Sequence, residues 1–301
     1  MSWLASRPVR RLLGERAAMA SLLVILLYAA VAVFVKLGGL EAIGADPTKP
    51  IVTEPQEIAY YTSPSADGWQ HWLGTDRQGR SILSRSVASI QVAMAVGLIA
   101  GAIAVLIGTL LGCISGYARG RIDDVVVWLY STVESIPYLL LLLVLSYSAA
   151  HVFGRGIITV HVAFAATFWT GPCRVIRGEV MKLREADFVT AARALGASPA
   201  RILARHVVPN VLHLAFIYFS LTFIGAIKSE VVLSFLGLGV QDQPSWGIMI
   251  DQSRAELATD FYWQIGAATA FMFVLVLAFN VFTDALQDAL DPKAVRTGAA
   301  A

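Results

Sequence analysis

DFVTAARALGASPARILARHVVPN, residues 187–210, is a charged, helix-prone stretch set between long apolar runs. Its punctuation predicts two short helices joined by a sharp elbow. In the first, Asp187 to Leu195, the three-and-four spacing puts Phe188, Ala191, Ala192 and Leu195 on one face. Gly196 supplies a residue that tolerates a left-handed stop. Ser198 suits the cap of the next helix and Pro199 its first position, where a missing N–H costs nothing. Pro209 is expected to close the unit, since a helix seldom runs through a proline. A small apolar knob on a stiff elbow is shaped to enter a groove on another protein.

Working outward, composition sets the solvent. The 301 residues are 57% hydrophobic and only 15% charged, with a mean hydropathy of +0.67. A soluble domain of that length cannot hide so much apolar surface, so lipid must be part of its surroundings. The net charge of +2 gives no ground for a nucleic-acid partner. Cys113 and Cys173 both lie in apolar stretches without metal-ligand spacing and read as small packing residues.

Six stretches approach the roughly 20 residues that cross a hydrocarbon core of about 30 Å. They run near 17–37, 92–114, 125–145, 157–176, 211–227 and 265–282. Arg7, Arg10, Arg11 and Arg16 precede the first, as in a signal peptide, but its apolar run is too long for one. An uncleaved first helix is expected. With the N-terminus inside, 15 of the 23 Lys and Arg fall in cytoplasmic segments, and the elbow falls there too. Both termini are therefore expected in the cytoplasm. The expected organisation is a tail over 1–16, a first span over 17–37, an external segment over 38–88, a five-helix core over 89–285 and a tail over 286–301.

The elbow resembles the EAA loop of permease subunits from ABC importers. The match is Thr190-Ala191-Ala192, Gly196 and His206-Val207-Val208-Pro209, with Thr190 in the acidic position and His206 and Val208 in place of Ile and Leu. Further blocks narrow the resemblance. HWLGTDRQGRSILSR, residues 71–85, is similar to the HPLGTDxLGRDxLSR signature of the dipeptide, oligopeptide and nickel family of these permeases. GYARGRID at 116–123, SEVVLSFLGLG at 229–239, PSWG at 244–247 and FNVFTDALQDALDP at 279–292 match its remaining blocks in order. Of the two permeases that such importers pair, the chain resembles the C-type subunit.

The resemblance implies an all-α membrane protein of six helices with the type I, MetI-like importer fold, in the bacterial inner membrane. It implies a permease pair forming the pathway for di- or oligopeptides delivered by an external solute-binding protein. It implies one or two ATP-binding cassette ATPases as partners, which hold the ATP and Mg, and no cofactor in this chain. The coupling loop would span 179–210, with Asp187, Phe188, Thr190, Ala191, Ala192, Arg193, Leu195, Gly196, Ser198, Pro199 and Pro209 at the docking surface. Arg193 and Arg201 would be rim partners for acidic groups. Nickel or another small solute is the alternative cargo, and a stand-alone channel or membrane enzyme the alternative class. No GxxxxGK(S/T), HExxH, CxxC or GxSxG occurs, and the five histidines are scattered.

Other residues carry two readings each. Thr75 and Asp76 suit a helix start, and Arg77, Arg80 and Arg85 recur at helical spacing. They predict an external amphipathic helix holding Gly74, Thr75, Asp76, Gly79 and Arg80: a binding-protein contact or a brace for the gate, or else an interfacial anchor. Gly97, Gly101, Gly108, Gly112 and Gly116 predict close helix approach, within the chain in the simplest case. Glu134, three residues before the bend-favouring Pro137, is a pathway-lining carboxylate or a member of an ion pair within the bundle. Ser220 and Glu230 are further pathway candidates, although Glu230 and Lys228 fall near the outer interface. The 233–239 run, with two glycines, predicts a re-entrant or kinked gate element. His161 reads as hydrogen-bonded packing.

Overall fold

The computed structural model describes residues 12, 14–53 and 57–290, so Arg7, Arg10, Arg11, Lys293, Arg296 and the final tail lie outside the described residues. Helix α1 is Arg16–Lys36, followed by the single turn α2, Gly39–Ala42. A two-stranded antiparallel ribbon pairs β1, Val52–Thr53, with β2, Glu57–Ile58. Then come α3, Ile82–Ala118; α4, Arg121–Glu134; α5, Tyr138–Phe153; α6, Ile157–Thr167; and α7, Thr170–Leu183. The elbow is α8, Asp187–Ala194, and α9, Pro199–Ile202. The chain ends with α10, Val208–Phe235; α11, Trp246–Leu257; and α12, Trp263–Leu290.

Among the described residues four helices are long and apolar enough to cross a membrane, and a fifth span results if α4 and α5 count as one. Those two meet at 93°, where Pro137 ends the run of backbone bonding as its position suggests. The apolar stretch at 157–176 is divided between α6 and α7 by Phe168 and Trp169. Pro172 lacks the N–H that would bond the Phe168 carbonyl, so a continuous helix there would lose that bond.

The chain divides into two compact units, one of the described residues up to Gly97 with 146–160 and from Ile224 onward, the other of 98–145 and 161–223. In the first unit, α1 lies against α12 and the Tyr28 hydroxyl donates to the Phe271 carbonyl at 3.0 Å. Trp246, fully buried, donates its indole N–H to the Ser86 carbonyl at 3.1 Å. Gly247 lies against the backbone of Val231, where an added Cβ would stand 2.8 Å from the Val231 carbonyl oxygen.

In the second unit, the glycine stripe of α3 meets α7 inside the chain. A Cβ added at Gly108, Gly112 or Gly116 would stand 2.7 Å from the carbonyl oxygen of Trp169, Cys173 or Arg177 respectively. Three successive turns of α3 therefore rest directly on the backbone of α7 and of Trp169, its N-cap, which only hydrogen side chains permit. Gly101 faces the Phe219 ring instead. Cys113 and Cys173 are free, buried thiols, as packing residues should be.

Two local expectations are corrected. Residues 74–81 form a turn, not an amphipathic helix, and α3 starts only at Ile82. Gly74 at φ +77° and Gly79 at φ +74° break any helical run, and Thr75 bridges Ser81 in an extended pairing. The 233–239 run is no re-entrant element but the end of α10. Gly237 takes φ +75°, its N–H meets the Ser234 carbonyl at 3.0 Å, and the Leu238 N–H meets that of Leu233 at 2.8 Å. That pair of bonds is a helix stop of the Schellman type.

Candidate functional site

Local chemistry builds the elbow. Asp187 sits in the first turn of α8, where a carboxylate suits the helix dipole. Gly196 stands at φ +79°, and its N–H meets the Arg193 carbonyl at 3.0 Å. Ser198 then caps α9, its hydroxyl oxygen accepting from the Arg201 N–H at 3.4 Å, and Pro199 occupies the first helical position.

One face of this elbow is moored. Val189, Ile202 and Val207 are fully buried in an apolar cluster with Val105 and Cys113 of α3, Ile176 and Val180 of α7, and Val211 and Ala215 of α10. Burying an aliphatic side chain of this size stabilises by about 1.5–3 kcal/mol. The opposite face is bare. Leu195 is 88% exposed and Phe188 43%, with Thr190, Ala191, Arg193, Ser198, Pro199 and Arg201 also exposed. Ala192 departs from the expected single face: it is half-buried and packs against the mooring cluster. It lies three residues from Val189 and so shares that residue's inward face.

Pro209 does not close the unit. A π-helical turn over Leu203–Val207 carries the chain into α10, so that 199–235 runs as one helix. The wider turn relieves the bond that Pro209 cannot make, and the Asn210 side-chain amide donates to the His206 carbonyl at 2.6 Å.

Polar contacts not legible in the sequence fix the root of the elbow. Arg177 grips Asp123 through two donors, at 2.5 and 2.7 Å. Arg184 donates to the Tyr117 carbonyl at 2.8 Å, and Arg119 pairs with Glu185 at 2.9 Å. Arg119 itself stands at φ +57°, in the turn between α3 and α4.

Each candidate pathway residue is engaged within its own unit. Glu134 is paired with Arg174, whose guanidinium lies over the Tyr130 ring at 5.3 Å. Ser220 is buried and its hydroxyl points to the Phe216 carbonyl at 3.4 Å. Glu230 is buried and accepts from the Ser234 hydroxyl at 2.6 Å, while Lys228 is exposed.

The 74–81 turn holds a cluster that sequence reasoning missed in substance. Asp76 is fully buried. Its Oδ1 accepts from the N–H groups of Gln78 and Arg80 at 2.8 and 2.9 Å, closing the turn. Its Oδ2 accepts from Arg80 Nε at 2.8 Å and from Arg85 at 2.5 Å. Nearby, Glu256 Oε1 accepts from the Arg77 N–H at 3.4 Å, and burial pushes the Glu256 carboxyl above its ordinary range. Among the described residues no group of three or more His, Cys, Asp or Glu side chains could hold a metal ion.

Comparison with known proteins adds a second line. Residues 108–296 match the family described as binding-protein-dependent transport system inner membrane component. The chain is similar to the dipeptide transport system permease protein DppC of Bacillus subtilis, 34% identical over 231 residues, covering 76% of this chain and 70% of that one. It is similar to the oligopeptide transport system permease protein OppC of Escherichia coli K12, 33% identical over 285 residues, covering 94% and 89%. It also resembles the glutathione transport system permease protein GsiD of Escherichia coli O6:K15:H31, 35% identical over 225 residues, covering 74% and 73%. Among solved structures, an amino acid ABC transporter with histidines superposes with a TM-score of 0.50 at 18% identity, covering 69% of this chain and 95% of that one. That likeness concerns the fold alone.

Proposed function

Since this chain belongs to the binding-protein-dependent transport system inner membrane component family, we propose that its elbow docks on a cytosolic ATPase and drives peptide uptake. The chain is a permease subunit of an ABC importer with the MetI-like helical fold, and a multi-pass protein of the inner membrane. Its partners include an ATPase and a substrate-binding protein. Pairing with a second, different permease is the finer arrangement proposed here. Both termini and the elbow lie in the cytoplasm, a reading supported by the placement of Lys and Arg. Dipeptide, oligopeptide and glutathione transport in the names of the relatives supports a short peptide as cargo.

The observation that carries the docking role is the contrast between the two faces of residues 187–202. Val189 and Ile202 are buried in the protein's own core, while Leu195 is 88% exposed at the tip. An ATPase whose groove differs between nucleotide states would bias the elbow through such a knob, because only differential contacts shift an equilibrium. Phe188, Ala191 and Leu195 fill the groove, and Arg193 and Arg201 meet acidic groups on its rim.

The test is Leu195→Asp in the assembled importer. The side chain lies outside the core, so insertion and thermal stability should match the unaltered protein, while the ATPase no longer co-purifies and uptake is lost. Normal ATPase retention with normal uptake would overturn the reading. The peptide carried is read separately, from the ligand retained by the cognate binding protein.

A further inference from the structure

The Asp76 cluster ties four separate stretches of one compact unit together. Arg85, 2% exposed near the start of α3, donates to Asp76 at 2.5 Å, to Gln252 of α11 at 2.9 Å and to Gln264 of α12 at 3.2 Å. Arg80, in the turn, donates to the same Gln252 oxygen at 3.2 Å. Gln264 passes the connection on, its amide donating to the Met249 carbonyl of α11 at 2.8 Å. The turn, the head of α3, α11 and the head of α12 therefore share one buried carboxylate and two guanidinium groups.

Apolar packing would hold these elements as well, and replacing a buried ion pair by hydrophobic residues is often neutral or stabilising. What the charged arrangement adds is direction. The Arg85 fork has fixed geometry and places three acceptors in fixed relation, which a greasy contact does not. The guanidinium groups are already engaged by Asp76 and two amide oxygens. Arg80, Arg85 and Gln252 line an open cavity of about 230 Å³, and of the buried Arg85 nitrogens only Nε lacks a partner.

We infer that Asp76, Arg85 and Gln252 are positioning residues that lock the 74–81 turn to α11, so that a push on the turn by the substrate-binding protein moves α11 with it. This rests on the orientation proposed above, which puts residues 38–81 and α11 on the outer side. None of the three touches the cargo. Their role is to make the surface of the unit respond as one body, so that engagement of the loaded binding protein is felt by the rest of the permease.

The experiment uses the whole importer, permease pair and ATPases, in lipid nanodiscs with the cognate binding protein and its peptide. ATPase rate is followed against the concentration of loaded binding protein for the unaltered complex, Asp76→Asn and Gln252→Leu. Asp76→Asn keeps the oxygen that closes the turn but removes the charge between the arginines. Gln252→Leu leaves Asp76 and Arg85 paired and removes the α11 acceptor that both guanidinium groups share. Each should raise the half-maximal binding-protein concentration about tenfold, the equivalent of one charge-assisted hydrogen bond. The rate without binding protein should stay within about twofold, since the ATPase contacts are elsewhere.

A merely structural role would lower the amount of assembled complex and leave the half-maximal concentration of the survivors unchanged, and that result overturns the inference. Should Asp76→Asn not assemble, Gln252→Leu decides: an unshifted curve sinks the proposal, a shifted one sustains it. An unaltered complex that shows no stimulation by its binding protein would overturn the importer reading together with this one. A stimulated complex with both variants unshifted removes only the positioning role.

Discussion

The N–H of Ala197 meets the carbonyl oxygen of Ala192 at 3.1 Å, spanning Gly196 and fixing the angle between the two limbs of the elbow. With the Gly196 N–H on the Arg193 carbonyl, the pair completes a Schellman stop that only a residue at ease with φ +79° can occupy. The direction in which Leu195 points is set by this backbone geometry, not by side-chain packing.

Gly196→Val tests that geometry. A Cβ at this position would meet nothing within 4 Å, so volume is no obstacle inside the chain. A β-branched residue in the left-handed region costs about 1–2 kcal/mol, and the elbow should open to relieve it. Uptake should fall several-fold with unchanged insertion, while Gly196→Asn, which tolerates that conformation, should transport nearly normally. Equal loss in both variants would mean that groove volume, not elbow angle, is the sensitive quantity.

Gly112→Leu tests the contact between α3 and α7. Its Cβ alone would stand 2.7 Å from the Cys173 carbonyl oxygen, which is backbone and has no other rotamer to adopt. Overpacking of this kind costs about 1–3 kcal/mol or more. Thermal unfolding of the detergent-solubilised protein should drop by several degrees, whereas Gly178→Ala, inside α7 where an added Cβ meets nothing within 4 Å, should leave it unchanged or slightly raised.

The Asp123 and Arg177 pair is the polar fastening at the root of the elbow, bidentate and only partly exposed. A double-mutant cycle with Asp123→Asn and Arg177→Met should return a coupling of about 1–2 kcal/mol, smaller than for a fully buried pair because solvent reaches both groups. Coupling near zero would reduce the pair to a surface ornament.

Glu256 gives a pH dependence of defined sign. Burial lifts its carboxyl above the ordinary carboxylate range despite Arg77 and Arg85 nearby, with Asp76 adding to the lift. A carboxyl raised in the folded state contributes stability at pH below its unfolded value, and that contribution is lost as pH rises through the folded value. Glu256→Gln, neutral at every pH, should therefore be more stable than the unaltered protein at neutral pH. The difference should shrink as pH falls towards 4, in thermal unfolding across that range. A gap that widens on acidification would show that the charged form is the one the fold favours.

The parts legible in the sequence are those governed by neighbours along the chain. Gly196, Ser198 and Pro199 announce the elbow because stop and cap chemistry acts within a few residues. Pro137 announces the bend between α4 and α5 for the same reason. The glycine stripe of α3 was readable as a contact face, though not its partner α7.

The parts where structure and sequence pattern part company depend on distant or competing interactions. The spacing of Arg77, Arg80 and Arg85 imitates a helix, but Asp76 draws two of them to one carboxylate and closes a turn instead. Pro209 reads as a stop until the π turn ahead of it widens the helix and makes its missing N–H harmless. Gln252 and Gln264 carry no signal of their own, since amides far apart in the chain reveal a shared guanidinium only once folded.

The resting of Gly108, Gly112 and Gly116 on the carbonyls of Trp169, Cys173 and Arg177, one per turn, has a mechanical consequence. With no side chain on the α3 side, Pro172, Ile176 and Val180 stand around the three glycines, so the pair is keyed like a splined shaft against sliding by a fraction of a turn. On the docking proposed above, torque at Leu195 is carried by α3 and α7 turning together.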